Sequence, residues 1–189
     1  FGHLKIDEMG GVADDRAKNI FSAGDVVGKV SLTPVAISFG RRLSDWLFAG
    51  QKNPLIWHDR RTDKGLAIPT VVFCHPPMGS CGLSSAEAEA VYGKDKIRVW
   101  NAKFTPMYCA LMKPEEKFQA VTKMITVREY SKYTEQEEDV VIGIHICYPG
   151  ADEAMQGFAM AVANRLPKSF VDNTIAIHPS ASEELVLFR

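Results

Sequence analysis

Apolar and polar positions change their period along this chain, and the changes divide it. A polar, turn-rich opening, DEMGGVADDRAKN, gives way to a short apolar run, IFSAG, that reads as a buried strand ending in Gly24-Asp25. From Val35 the pattern VAISFGRRLSDWLFAG is helical, with Thr33 suited to cap the start, Pro34 to the first helical position and Gly50 to the exit. The stretch QKNPLIWHDRRTDKG is polar and carries a proline, which marks residues 51–68 as a linker. Residues 1–50 are thereby set apart from residues 69–189.

Beyond the linker the period turns to that of strands. TVVFCH (70–75), IRVWNAKF (97–104), KFQAVTKMITV (117–127) and VVIGIHICY (140–148) are strand candidates. In the third, Phe118, Ala120, Thr122, Met124 and Thr126 alternate with Lys117, Gln119, Val121 and Lys123, which predicts one dry face and one wet face. Ser84 through Glu87 spell a capping box that opens a short helix to Tyr92, stopped by Gly93. Met155, Phe158, Ala159, Val162, Ala163 and Leu166 form one stripe of an amphipathic helix. HPPMGS (75–80) reads as a turn, and the charged REYSKYTEQEED (128–139) as a solvated hairpin loop to which no function attaches. Residues 69–189 are therefore expected to be α+β, an antiparallel β-sheet of about four strands with helices packed on one face.

Composition narrows the partners. The 189 residues are 46% hydrophobic with net charge −1, enough for one well-buried core and without the basic excess of a nucleic-acid binder. No apolar run reaches the roughly 18 to 20 residues of a membrane helix, so neither a nucleic acid nor a membrane is an expected partner. The start FGHLKIDEMGG lacks signal-peptide character and an initiator methionine, which suits a piece of a longer chain. Histidines at 3, 58, 75, 145 and 178 are scattered, and no metal is expected. Cysteines at 74, 81, 109 and 147 lack C-x-x-C spacing and read as reduced, mostly buried thiols of a cytoplasmic protein.

Four constellations carry candidate chemistry. In IAIHPSASEELVLFR, proline stiffens the backbone that aims His178, and Glu183 sits in the first turn of a short helix capped by Ser180 or Ser182. A carboxylate on one imidazole nitrogen fixes the tautomer and makes the other a better base, as a general acid–base requires, although the same pair could be a satisfied helix-start histidine. Asp25, followed by a helix N-terminus near Thr33, places a carboxylate and a positive helix end on one sheet edge, suited to hydroxyls and an electron-rich ring carbonyl; Asp25 is otherwise a turn former. Arg41, beside Arg42, suits bidentate capture of a carboxylate or lies on a solvated face. FTPMY (104–108) either lines a cleft or closes the sheet. No G-x-G-x-x-G phosphate cradle is present.

Taken together, AGDVVGKVSLTPVAISFGRRL, IPTVVFCHPPMGSCGL, FTPMY, VIGIH, the helix around MQGFAMAV and DNTIAIHPSASEEL resemble, in order and over nearly the whole chain, the glutathione reductase branch of the flavin disulfide oxidoreductases. The resemblance implies that residues 1–50 are the end of an FAD domain and 69–189 the dimerisation domain. It implies that Asp25 meets the FAD ribityl chain and that Thr33 lies near the flavin pyrimidine ring. His178, paired with Glu183, would be the acid–base acting in the partner subunit's active site of a homodimer. Arg41 would meet a glycine carboxylate of glutathione disulfide, with Met107, Tyr108 and Glu184 as secondary substrate contacts. A polycationic trypanothione site would disfavour Arg41, and lipoamide offers no carboxylate to it. A thioredoxin-type reductase would carry a C-terminal redox extension. The family's FAD phosphate loop, redox cysteine pair and NADPH domain are missing here, so FAD and NADPH belong to the intact enzyme. This chain alone is expected to bind neither and to be inactive. A non-catalytic dimerisation module is the other reading.

Overall fold

The computed structural model describes residues 2–51 and 67–188, and these fall into two compact units. The expected linker at 51–68 lies almost wholly outside the described residues.

The first unit is built around α1 (Thr33–Ala49). Val35 and Phe39 are buried from it, together with Met9 and Val27. Phe21 meets Trp46 edge to face at 5.6 Å. The helix ends as expected on Gly50 in a left-handed conformation, φ 66°. Its start is corrected: Leu32 is the N-cap and makes no side-chain capping bond, while Thr33 is already helical and cannot cap. The strand expected over IFSAG does not form. A strand needs a partner along its length, and among the described residues the pairing of this stretch goes no further than the Gly11–Phe21 bridge, flanked by the Val12 N–H to Ile20 carbonyl and Ser22 N–H to Gly10 carbonyl bonds.

The second unit is an antiparallel five-stranded sheet in the order β1-β2-β5-β4-β3. The strands are β1 (Thr70–Val72), β2 (Met78–Gly82), β3 (Ile97–Phe104), β4 (Ala120–Ser131) and β5 (Gln136–Cys147). The expected α+β class holds, and β3 has its expected bounds. β2 takes the second half of the expected turn, Met78 to Ser80. Its small residues have low strand propensity, but Gly79 lets Met155 approach, since a Cβ there would stand 2.9 Å from that of Met155. β4 and β5 also run on through the expected loop at 128–139, which reverses only over 132–135.

Helices α2 (Ser85–Tyr92), α3 (Ala151–Ala163) and α4 (Lys168–Asp172) complete this unit. On one face Met155, Ala159 and Val162 of α3 close on Cys81, Met124, Ile144 and Ile146. On the other, Ala88 of α2 closes on Leu83, Ile125, Val127, Val140 and Ile142. The alternation expected in β4 therefore holds at Ala120, Thr122 and Met124, and fails at Ile125 and Val127, which are dry because α2 covers them. A register shift between Ile125 and Thr126, where Ile142 of β5 is skipped, lies in the same stretch. The capping box of α2 forms as read, Ser84 N–H to Glu87 at 2.8 Å and Glu87 N–H to Ser84 Oγ at 3.3 Å.

All four cysteines are free thiols: Cys81 and Cys109 are buried, Cys147 is half-buried and Cys74 is exposed, one more open thiol than "mostly buried" implied. Burial pushes the Cys81 thiol up to about 11 against the opposing Gly82 N–H.

Candidate functional site

The last thirty residues are anchored at their ends and open in their middle. Beyond α4 the backbone runs without regular structure to Ser180, then turns through a single 3-10 helix, Ala181–Leu185. Leu185 and Phe188 are buried in the main core, each contributing roughly 2 kcal/mol by burial. The buried Tyr148 hydroxyl shares a hydrogen bond of 2.9 Å with Ser182 Oγ. Burial pushes the Tyr148 phenol upward, with the Ser182 bond opposing. Between these anchors Ile175 and Ile177 are 92% and 79% exposed.

His178 sits on this open stretch, joined to Pro179 by a cis peptide. Its Nδ1 lies 3.1 and 3.2 Å from the two carboxylate oxygens of Glu183. Ser180 is the cap: its hydroxyl accepts from the Glu183 N–H at 3.2 Å, while Glu183 accepts from the Ser180 N–H at 3.4 Å. One carboxylate thus closes a capping box and holds an imidazole. Side-chain exposure is 72% for His178 and 14% for Glu183, so the acid is held from below and the ring stands outward. With Nδ1–H donated to the carboxylate, Nε2 is the nitrogen that can exchange a proton with an approaching group.

A second histidine shows the contrast. His145 in β5 lies 2.7 Å from Ser80 Oγ through Nδ1 and 3.0 Å from the Leu83 carbonyl through Nε2. Since a carbonyl only accepts, Nε2 carries the proton and Nδ1 accepts from the hydroxyl. Both nitrogens are committed. Among the described residues no group of three or more His, Cys, Asp or Glu side chains is placed to hold a metal ion, and no helix is long and apolar enough to cross a membrane.

The remaining candidates lie apart. Glu184 follows Glu183 in the 3-10 helix and is half-buried. Met107 and Tyr108 stand exposed on a turn beyond β3, fixed by buried Cys109; Thr105 Oγ1 accepts from Gln119 at 2.8 Å beside it. Arg41 is exposed on α1 and lines a groove with Pro34, Ile37, Ser38 and Arg42. Asp25 opens a 3-10 turn, Asp25–Val27, and is exposed; among the described residues of that unit no sheet edge accompanies it, contrary to expectation. Gly24 before it packs on the first turns of α1, where an added Cβ would lie 3.6 Å from that of Ala36. Sequence reasoning missed Tyr148, Ser182 and Lys168 as anchors, because nothing in their spacing shows that β3, β5 and the tail meet.

The fold and this tail define the class. The chain belongs to the pyridine nucleotide-disulphide oxidoreductase dimerisation-domain family, whose model matches residues 68–188. Among curated proteins it is 41% identical to glutathione reductase of Debaryomyces hansenii over 171 residues, 90% of this chain and 33% of that one. It is 37% identical to glutathione reductase of Yarrowia lipolytica over 188 residues, 100% of this chain and 36% of that one. It thus spans about a third of the length of these relatives. Among solved structures, the HOCl-induced flavoprotein disulfide reductase RclA from Escherichia coli superposes with a TM-score of 0.69 at 22% identity, covering 97% of this chain and 37% of that one. At that identity the likeness speaks for the fold.

These relatives raise the question of a flavin. The 17-residue α1 presents an N-terminus with no side-chain cap, close behind the exposed Asp25. An uncapped positive helix end with a nearby carboxylate fits a group that carries both an electron-rich carbonyl and hydroxyls. It fits part of such a group only, since no phosphate cradle accompanies it.

Proposed function

We propose that this chain is the dimerisation part of an NADPH-dependent, FAD-containing glutathione-disulfide reductase of a reducing, cytoplasmic compartment, and that His178 with Glu183 serves the active site of the partner subunit in a homodimer. The observation that carries the reading is the outward-facing His178 ring held through Nδ1 by Glu183. A second copy would cover the exposed Ile175 and Ile177 beside it.

When bound, NADPH and FAD supply the two reducing equivalents that the disulfide takes up. Asp25 and Thr33 would hold part of the flavin. A thiolate of the intact enzyme attacks one sulfur of glutathione disulfide, and the S–S bond breaks. The departing thiolate takes a proton from His178 Nε2, and Glu183 stabilises the ring while it carries the charge. Arg41 would meet a glycine carboxylate of the substrate, with Met107, Tyr108 and Glu184 as flanking contacts. By this reading the chain is inactive alone, having an acid–base with nothing to protonate.

The test is His178→Gln in the full-length parent, with bound FAD measured by absorbance. Turnover of glutathione disulfide should fall about 100- to 10,000-fold, the range for loss of a general acid. Unchanged turnover with FAD retained would sink the proposal.

A further inference from the structure

Among the described residues the open segment from Asn173 to Leu187 has no strand partner, so something else fixes where it leaves the core and where it returns. The departure point is α4 and the return point is Phe188. Lys168, the first residue of α4, is charged yet only 6% exposed. Its ammonium donates to both carboxylate oxygens of Asp172, at 2.6 and 2.8 Å, and to the Phe188 carbonyl at 3.0 Å. It also lies 4.1 Å from the centre of the Trp100 ring on β3. The cation therefore binds the residue at which the segment departs, the residue at which it returns, and the sheet between.

The neighbouring residue holds α4 from the other side. Ser169 Oγ donates to the buried Glu138 carboxylate at 2.7 Å, and Thr134 donates to the same group from the β4–β5 reversal. The Val141 N–H to Leu166 carbonyl bond, 2.9 Å, ties the approach to α4 onto β5. The acidic hairpin thus has a task, to seat α4. Burial alone does not explain a lysine here: a buried charge is a poor source of stability compared with an apolar side chain, and its distinctive effect is to select one geometry.

We infer that Lys168 is a positioning residue for His178, clasping the two ends of the segment so that the His178–Glu183 pair is presented in one arrangement. The functional weight of this inference rests on the acid–base reading of His178; the clasp itself is a separate physical claim.

Both can be tested apart. In this 189-residue chain, Lys168→Met and Lys168→Arg are compared with the parent sequence by amide hydrogen exchange and by the NMR signals of the His178 ring. Lys168→Met should leave the β4 and β5 amides protected. The Glu183 and Val186 amides, bonded to Ser180 Oγ and the Glu183 carbonyl, should exchange about tenfold faster or more, and the ring signals should move toward those of free histidine. Lys168→Arg should restore part of both, because it keeps the charge and the donors. An unmoved His178 ring with unchanged tail exchange overturns the inference; so does a loss of protection as large in the sheet as in the tail, which would make Lys168 a residue of general stability. If Lys168→Met does not fold, Asp172→Asn takes its place, with a smaller shift in the same two readouts expected and an unchanged tail again decisive against the clasp. If His178→Gln leaves the intact enzyme active while Lys168→Met loosens the tail, the acid–base reading falls and the clasp stands. If His178→Gln abolishes turnover while Lys168→Met leaves the tail fixed, the reverse holds.

Discussion

Replacing Glu183 by glutamine separates the two duties of that side chain. The capping duty survives, because a carboxamide oxygen can still accept from the Ser180 N–H and the Ser180 hydroxyl still takes the Glu183 N–H at 3.2 Å. What is lost is a negative charge 3.1 to 3.2 Å from His178 Nδ1. The ring is 72% exposed, so water screens the pair, and the loss belongs to the surface range of about 1 kcal/mol and not to the roughly 3 to 5 kcal/mol of a broken buried pair. At about 1.4 kcal/mol per factor of ten, that is roughly fivefold in rate. A partner subunit that shields the pair from water would raise the figure, so fivefold is the value for a pair as open as it is in this chain. The assay is NADPH oxidation at saturating glutathione disulfide in the full-length parent, with the denaturation midpoint of this chain as the control. The unfolding free energy from that midpoint should change by no more than about 1 kcal/mol. A loss of turnover equal to that of His178→Gln would refute the argument, since Glu183 would then be doing more than orienting and stabilising the ring. No loss at all would refute it too, and would make the contact incidental to the chemistry.

Two further outcomes follow from the packing. Gly82→Ala should destabilise the chain by roughly 2 to 5 kcal/mol in urea unfolding, because φ is +79° and the new Cβ would stand 2.2 Å from the Ile142 carbonyl oxygen; a change within 0.5 kcal/mol, roughly the surface range, would contradict that backbone geometry. With a thiol reagent at about pH 8, Cys74 should react first in the folded chain, whereas Cys81, buried and with its thiol pushed up to about 11, holds only about one thiolate in a thousand and should react only on unfolding. Fast labelling of Cys81 under native conditions would contradict its placement.

How much of this was legible beforehand depended on whether local chemistry or a distant partner decided the matter. The capping box at Ser84–Glu87 and a serine cap ahead of Glu183 are decided within four residues and were readable, as were the stripe of α3 and the bounds of β3. The tail motif was readable for the same reason, since Glu183 reaches His178 within one turn. β2 was not, because MGSCG owes its strand to long-range fit: it pairs with β1 and β5, and its glycines make room for α3 and for the turn to Leu83. The charged stretch 128–139 was misjudged because its charges are satisfied from elsewhere, Asp139 by Arg98 at 3.1 Å, Glu129 by Arg165 at 2.8 Å and Glu138 by hydroxyls. The strand sought in IFSAG failed for the opposite reason, an apolar run with no strand beside it.

The arrangement of the tail divides stability from presentation. Leu185, Phe188, Tyr148 and Lys168 face inward, and changes there act on the core or on the path of the chain. Ile175, Ile177 and His178 face outward and add little to the folded chain by itself, since an exposed side chain gains little from burial it does not have. An exposed pair of isoleucines beside an oriented histidine is poorly explained by the needs of this fold, which would be met as well by polar residues at those positions. It is explained if that surface is covered by another subunit, so that the segment is finished only on assembly. The acid–base and the dimer seam are then one feature, and a change that loosens the seam should disturb proton transfer even where His178 and Glu183 are untouched.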